Sequence, residues 1–405
     1  MKKNPISPFF SYSLLLIIIS SLGYMLPWGF PLFFSWSINI TLLIYFTKKY
    51  HNLFHKRLFS FVNLFTIWTI IGIVRGVFLV DDYWSLKNLI GHSISLLIPS
   101  LCIAFTSPLL NKNLLYPLLK YGILLFPLFY FLCQNSDGPG RYLSFLYLFI
   151  IFISILPLKW KIIIISLSFI AIFYDIEARS GGIRILFACI TGLLIYIRRF
   201  AYKLIKVLHP IIMITPFILL YLGCSGAFNI FKLKEYTQST TEQNNNLLVD
   251  TRSFLYEEVI LSSINNNYVI SGRTPTKGYD SKYFVIDQYA AQKNNMKILN
   301  ERGGCEVSIL NIYTYLGLIG VIIYYLIFYS SSYLAIYKSN NIYIKLIGIF
   351  ITFRWLYAWV EDFNNFDINY VMIWFMIGMC YSIQFRNMNN CQFKKWVISI
   401  LPFNK

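Results

Sequence analysis

Long apolar runs separated by short polar stretches dominate the chain. They fall at approximately 9–26, 29–47, 58–80, 88–107, 114–132, 142–158, 162–176, 183–197, 205–223, 308–330, 342–360 and 368–385. Most have the roughly 20 residues a helix needs to cross the hydrocarbon of a bilayer. The pattern predicts an all-α polytopic membrane protein of about twelve transmembrane helices. The seventh and eighth runs are short, and Arg179-Ser180-Gly181-Gly182 separates them. The apolar run after Lys2-Lys3 is expected to be a retained first helix, because no clear signal-peptide cleavage site follows it.

One polar segment differs in scale. Residues 224–307 divide the chain into helices 1–9 (1–223), a large loop, and helices 10–12 with a tail (308–405). Within the loop, DTRSFLYEEVILSSI places Phe254, Leu255, Val259, Ile260, Leu261 and Ile264 at helical spacing, so it predicts an amphipathic helix. Asp250 or Thr251 is placed to cap its start. NNNYVISGRTPTKGYDSKY reads as turns. YFVIDQYAAQKNNMKIL is a second amphipathic stretch.

Charge fixes the orientation. With the N-terminus inside, all 17 Asp and Glu fall in outward segments or at the outer ends of runs. Most of the Lys and Arg fall in inward loops, such as KKYHNLFHKR (48–57), KWK (159–161) and RRFAYK (198–203). This is the positive-inside pattern. It puts both termini in the cytoplasm, consistent with the basic tail QFKKW, and puts 224–307 outside the cytoplasmic membrane.

The chain is 57% hydrophobic and 13% charged, where a soluble domain has about 25% charged residues. A bilayer is therefore its solvent, and the net charge of +18 is topogenic; no nucleic-acid partner is implied. The seven Cys are scattered, with no CxxC and no Cys/His cluster, so no metal or other cofactor is signalled. Cys224 and Cys305 bracket the outer loop, as a disulfide or, by preference, as two free thiols.

The arginines are the first candidate chemistry. Inward loops favour Lys, whereas the outer membrane edge carries Arg75, Arg141, Arg179, Arg184 and Arg354 against Lys87. Arg grips phosphate with a planar fork and stays charged when partly desolvated. Snorkelling to headgroups or pairing with Asp81, Asp82, Asp137 or Glu177 would account for any one of them. As a set they point to a shared anionic site, which Arg252, Arg273 and Arg302 of the loop could complete. Glu306 is the last charged residue before the tenth run, at the water–lipid boundary, where base chemistry becomes accessible. It is also a favourable helix N-terminal acid. The glycines of GLIG (317–320) suit close helix packing. The loop has no His, so no histidine base is expected in the cap; His92 lies near the outer face.

GPGRYLSFLYLFI, EARSGGIRILFACITGLL, and DTRSFLYEEVILSSINNNYVISGR followed by EVSILNIYTYLGLIG together resemble the O-antigen polymerase and O-antigen ligase superfamily of bacterial surface-polysaccharide enzymes. The motifs are short; their order and the hydrophobic profile carry the likeness along nearly the whole chain. Ligases resemble the last stretch with a His, a small polar residue, nine residues and GxxG. Here Glu306-Val307 takes the place of that pair before Gly317-Leu318-Ile319-Gly320. The missing His favours a repeat-unit polymerase over a ligase.

The resemblance implies a GT-C-like fold in the bacterial inner membrane. It implies a metal-independent, inverting glycosyltransferase joining undecaprenyl-pyrophosphate-linked repeat units on the outer face, with a chain-length regulator as a possible partner. Arg141, Arg179, Arg184 and Arg252, with Arg75 and Arg273, would hold the pyrophosphate, and Glu306 would be the catalytic base. The alternatives are a ligase and a lipid-linked oligosaccharide flippase. A flippase should carry charges deep along a central path; here they lie at the outer edge.

Reporter fusions within 230–300 are predicted to be active only for an exported reporter. Cytoplasmic reporter activity there would contradict the orientation.

Overall fold

The computed structural model describes residues 8–27, 29–54, 59–133, 138–173, 179–229, 252–282, 300–362 and 366–402. Among the described residues it is almost entirely helical, with one two-stranded ladder in the loop. Among the described residues, five helices are long and apolar enough to cross a membrane: Ser60–Val77, Tyr83–Thr106, Pro108–Leu132, Phe200–Cys224 and Ser308–Tyr337. Shorter apolar helices include Ser13–Met25, Gly181–Ile197 and Ile368–Tyr381. The protein is therefore an all-α membrane protein.

The last helices form the centre. Every residue of Ile368–Tyr381 is buried, and nearly every residue of Ile342–Tyr357. A helix that is apolar all round must be surrounded by others. Ser308–Tyr337, the 3₁₀ segment Ile98–Thr106 and Arg198–Cys224 pack against this pair, and Ser60–Val77 packs against Ser308–Tyr337. Trp355, Trp374, Tyr324 and Tyr370 fill the interior. The outer helices instead expose large apolar side chains such as Phe78, Leu124, Phe131 and Tyr221, as lipid-facing surfaces require.

Two boundaries differ from the hydrophobic pattern. The last run stops at Tyr381, because the Ser382 hydroxyl caps a new short helix, Ile383–Asn387. The tail then forms a further helix, Asn390–Ile400, with a capping box from Asn389 and Gln392. Its Phe393, Val397 and Ile400 are buried, and Trp396 Nε1 donates to Pro108 O at 3.0 Å. Helical spacing was present in QFKKWVISI, but its lysines make it read as a basic tail.

In the loop, the expected helix is present as Ser253–Asn265. Arg252 is its N-cap residue and makes no side-chain cap hydrogen bond. The expected caps Asp250 and Thr251 lie outside the described residues, as does 283–299 with the second amphipathic stretch. Tyr279–Asp280 and Glu301–Arg302 pair antiparallel and bring the ends of that segment together.

The decisive feature is a break in Ser308–Tyr337. Gly317 has φ 67° and ψ −167°, far from helical values. A continuous helix would bond Leu318 N to Thr314 O and Ile319 N to Tyr315 O. Instead Leu318 N donates to Val269 O (2.9 Å) and Ile319 N to Ile270 O (3.3 Å). The released carbonyls of Thr314 and Tyr315 accept from Arg273 N (2.7 Å) and Thr274 N (3.2 Å). The Leu316 carbonyl accepts from Trp68 Nε1 at 2.9 Å. The loop thus crosses the helix at its break, with Gly272 (φ 73°) against Gly317. A Cβ on Gly272 would lie 2.5 Å from Gly317 N, and one on Gly317 would lie 2.3 Å from Ile270 O. The GLIG glycines were expected to serve helix packing; Gly317 serves instead as the crossing point.

Gly272→Ala and Gly317→Ala are each predicted to cost at least about 2 kcal/mol, from left-handed backbone strain plus a clash with backbone that cannot move aside. Gly182→Ala, with open space at its Cβ, is the neutral control. Apparent melting of the purified protein in nanodiscs checks this; equal melting of all three variants would contradict the crossing.

Candidate functional site

The crossing segment is tied to the helix Ser60–Val77. Arg75 Nη1 and Nη2 donate to the carbonyls of Ser271 (3.0 Å) and Gly272 (3.2 Å). Thr276 Oγ1 donates to Gly76 O at 2.8 Å, and Lys277 Nζ meets Asp81 Oδ2 at 2.6 Å. Two of the donors that the sequence assigned to phosphate on Arg75 are therefore engaged with the loop backbone. Thr274, fully buried, has φ 89°, a strained value for a β-branched residue. It sits between the Gly272 crossing and Pro275.

The arginines singled out in the sequence separate into two groups. Arg141, from the short helix Gly138–Tyr142, and Arg184 and Arg354, from two long helices, all act electrostatically on Asp367. Arg354 is fully buried and reaches Asn369 Oδ1 at 3.4 Å. Its guanidinium lies 5.7 Å from the Tyr357 ring, and that of Arg184 lies 5.9 Å from the Tyr147 ring. Asp367 caps the helix Ile368–Tyr381, accepting from Tyr370 N at 2.8 Å. Burial pushes its carboxyl up, while the Tyr370 amide and the three arginines oppose that shift. The sequence had noted Arg354 only as part of the edge pattern. The side chain of Arg179, which opens the helix Arg179–Leu193, lies outside the described residues.

Arg252 extends this group from the loop. Its Nε donates to Val360 O at 2.6 Å, and its Nη2 pairs with Glu361 at 3.2 Å. Glu361 also acts on Arg184. Arg273 belongs to the other group. It bonds Gly278 O (3.1 Å) and Asp280 (2.8 Å) and lies 4.0 Å from Glu301, all within the loop. Glu306 pairs closely with Arg302, and its side chain remains 56% exposed.

A cavity of about 200 Å³ lies beneath the cap. It is lined by His92, Ser95 and Leu96 of one helix, by Asn311 and Tyr315 of another, by Asp362, and by the Gly304–Cys305 turn. His92 Nδ1 lies 2.9 Å from Pro275 O and must carry the proton there, since a carbonyl only accepts. The Tyr315 hydroxyl lies 2.7 Å from Gly303 O and 3.1 Å from His92 Nε2, so its one proton has two acceptors. The two rings stack at 4.4 Å. Ser308 Oγ donates to Asp362 at 3.2 Å, and Asn311 holds both the amide and the carbonyl of Cys305 at 2.8 Å. The Cys305 thiol is pushed up to about 12 by burial, which removes it as a nucleophile. Cys224 and Cys305 are both free.

The loop contributes no histidine, but the helix Tyr83–Leu97 brings His92 against it. His92, Tyr315, Asp362 and Asp367 were missed because their neighbours are remote in sequence. The one available signal was the acidic pair Glu361-Asp362 after an Arg-bearing apolar run. Among the described residues, no group of His, Cys, Asp and Glu is arranged to hold a metal. No family model, curated protein or solved structure matches the chain.

Arg75→Lys keeps the charge but cannot span two carbonyls. It is predicted to cost about 1–2 kcal/mol and to expose 268–277 to limited proteolysis. Unchanged cleavage would show that the fork does not hold the loop.

Proposed function

We propose that the protein is a surface-polysaccharide polymerase of about twelve spans and GT-C-like build, with both termini cytoplasmic. In this reading it joins undecaprenyl-pyrophosphate-linked repeat units at the outer face of the inner membrane. The observation that carries it is the gathering of Arg141, Arg184 and Arg354 about Asp367 at one place, continued by Arg252 through Glu361. Cations brought together from separate helices suit a polyanionic group. A pyrophosphate leaving group develops charge as the glycosidic bond breaks, and preorganised guanidinium donors stabilise that charge most in the transition state.

The acceptor hydroxyl attacks the anomeric carbon from the side opposite the pyrophosphate, so the product is inverted. Glu306 takes its proton. The pair with Arg302 orients the Glu306 carboxylate while leaving it open to substrate arriving under the cap. Arg75 and Arg273 hold the loop's crossing segment in place on this account, and Arg141, Arg184 and Arg252 with Arg354 face the pyrophosphate.

The test is the surface-glycan ladder of a deletion strain complemented with variants. Arg184→Lys and Arg141→Lys are predicted to shorten the ladder at normal protein level, because Lys lacks the fork. Glu306→Gln is predicted to leave single capped units, as loss of a general base costs about 10²–10⁴ in rate. Glu257→Gln, at an exposed position, should polymerise normally. Normal ladders from both Lys variants would contradict the anion site. A deletion that leaves no attached glycan would indicate a ligase, and one that traps lipid-linked units inside would indicate a flippase.

A further inference from the structure

We propose that Lys345 and Lys206 form a binding site for the phosphate of an anionic phospholipid, at the end of the helical bundle away from the loop. The site goes beyond the polymerase reading and does not rest on it.

Lys345 stands in the first turn of Ile342–Tyr357 and is buried, with 8% of its surface exposed. A cation there meets the positive end of its own helix dipole. Its Nζ donates to Ile336 O at 2.9 Å, near the C-terminal end of Ser308–Tyr337, and lies 5.4 Å from the centre of the Tyr202 ring. The charge acting on it is that of Lys206, which has the same sign. Lys206 is exposed, and its carbonyl accepts from the Tyr337 hydroxyl at 2.9 Å, which ties its helix to Ser308–Tyr337. None of the three helices that meet here, Arg198–Cys224, Ser308–Tyr337 and Ile342–Tyr357, contains an Asp or Glu. Two like charges and a helix N-terminus converge, and an anion settling between them offsets the cost of burying Lys345.

Position selects a lipid as the source of that anion. Ser308–Tyr337 leaves the loop at Ser308 and ends beside Lys345, so the site lies near the opposite surface of the bilayer. Tyr196 and Phe200, both exposed, stand where an aromatic belt marks that surface. Val207 and Ile211, one turn apart and exposed, run from Lys206 toward the bilayer centre, as an acyl chain does. Basic pockets between membrane helices bind lipid headgroups through this combination of lysine charge and apolar surface.

The test is native mass spectrometry of the full-length protein in detergent, titrated with phosphatidylglycerol or with phosphatidylcholine. The unaltered protein is expected to retain phosphatidylglycerol in preference to phosphatidylcholine. Lys345→Gln should abolish the preference. Lys206→Gln should weaken phosphatidylglycerol binding by about fivefold, the worth of one lysine at an anionic surface. Lys159→Gln removes an exposed lysine from another helix and should leave binding unchanged. A preference that survives Lys345→Gln would show that this lysine serves only the end of Ser308–Tyr337, and would overturn the proposal. Equal weakening by Lys206→Gln and Lys159→Gln would overturn it too, as the effect of overall charge. Displacement of the lipid by an equal concentration of inorganic phosphate would overturn the assignment to a lipid. Should Lys345→Gln not fold, the exposed Lys206 and Lys159 variants decide. Lipid retention is read without turnover, so glycan ladders that refute the polymerase leave this site standing, and loss of the site leaves the polymerase untouched.

Discussion

The close approach of Gly272 to Gly317 is the constraint on which the loop and the helices beneath it depend. A helix broken near the hydrocarbon releases backbone amides and carbonyls that lipid cannot satisfy, at several kcal/mol for each unpaired group. Here the loop supplies a partner for each group released at 314, 315, 318 and 319, and Trp68 supplies one for Leu316. The exchange works only if two backbones touch, so neither crossing residue can carry a Cβ. Irregular backbone at this depth is tolerated when it is enclosed by protein, and the Arg75 fork and the Thr276 hydroxyl complete that enclosure.

The crossing also places the chemistry. Holding 269–274 in the break sets Pro275 over His92 and draws Tyr315 to Gly303. On the other side of Ser308–Tyr337, the first amides of the helix bond Glu361 O (3.3 Å) and Ala358 O (3.1 Å). The turn 358–362 therefore carries Glu361 toward the arginines and Asp362 into the cavity. The arginine group around Asp367 and the cavity lined by Asp362 thus meet at this one turn.

The membrane-embedded helices were legible because a two-sided solvent problem writes itself into long apolar runs. The loop helix Ser253–Asn265 was legible from its apolar spacing, in which Leu255 and Val259 are buried, although Leu261 and Ile264 of the same pattern are exposed and Ser262 and Ser263 are buried instead. The break was not. GLIG has the small-residue pattern of helix packing, and nothing local to Gly317 reveals that Gly272 meets it. His92 was likewise illegible as a cap residue, since its partners Pro275 and Tyr315 are 183 and 223 residues away. The arginine excess at the outer edge was visible as composition. Which arginines converge is a property of packing: Arg75 and Arg273 went to the loop, and Arg354, seen only as one of the edge set, joined Arg141 and Arg184 around Asp367.

Hydrogen–deuterium exchange of the purified protein in nanodiscs tests the crossing most directly. The amides of Arg273, Thr274, Leu318 and Ile319 bond across the break. Peptides covering 268–276 and 314–320 are predicted to exchange slowly and together, although the first lies in a loop, and to be released together in Gly317→Ala. Rapid exchange of 268–276 in the unaltered protein, with 314–320 protected as an ordinary helix, would contradict the account.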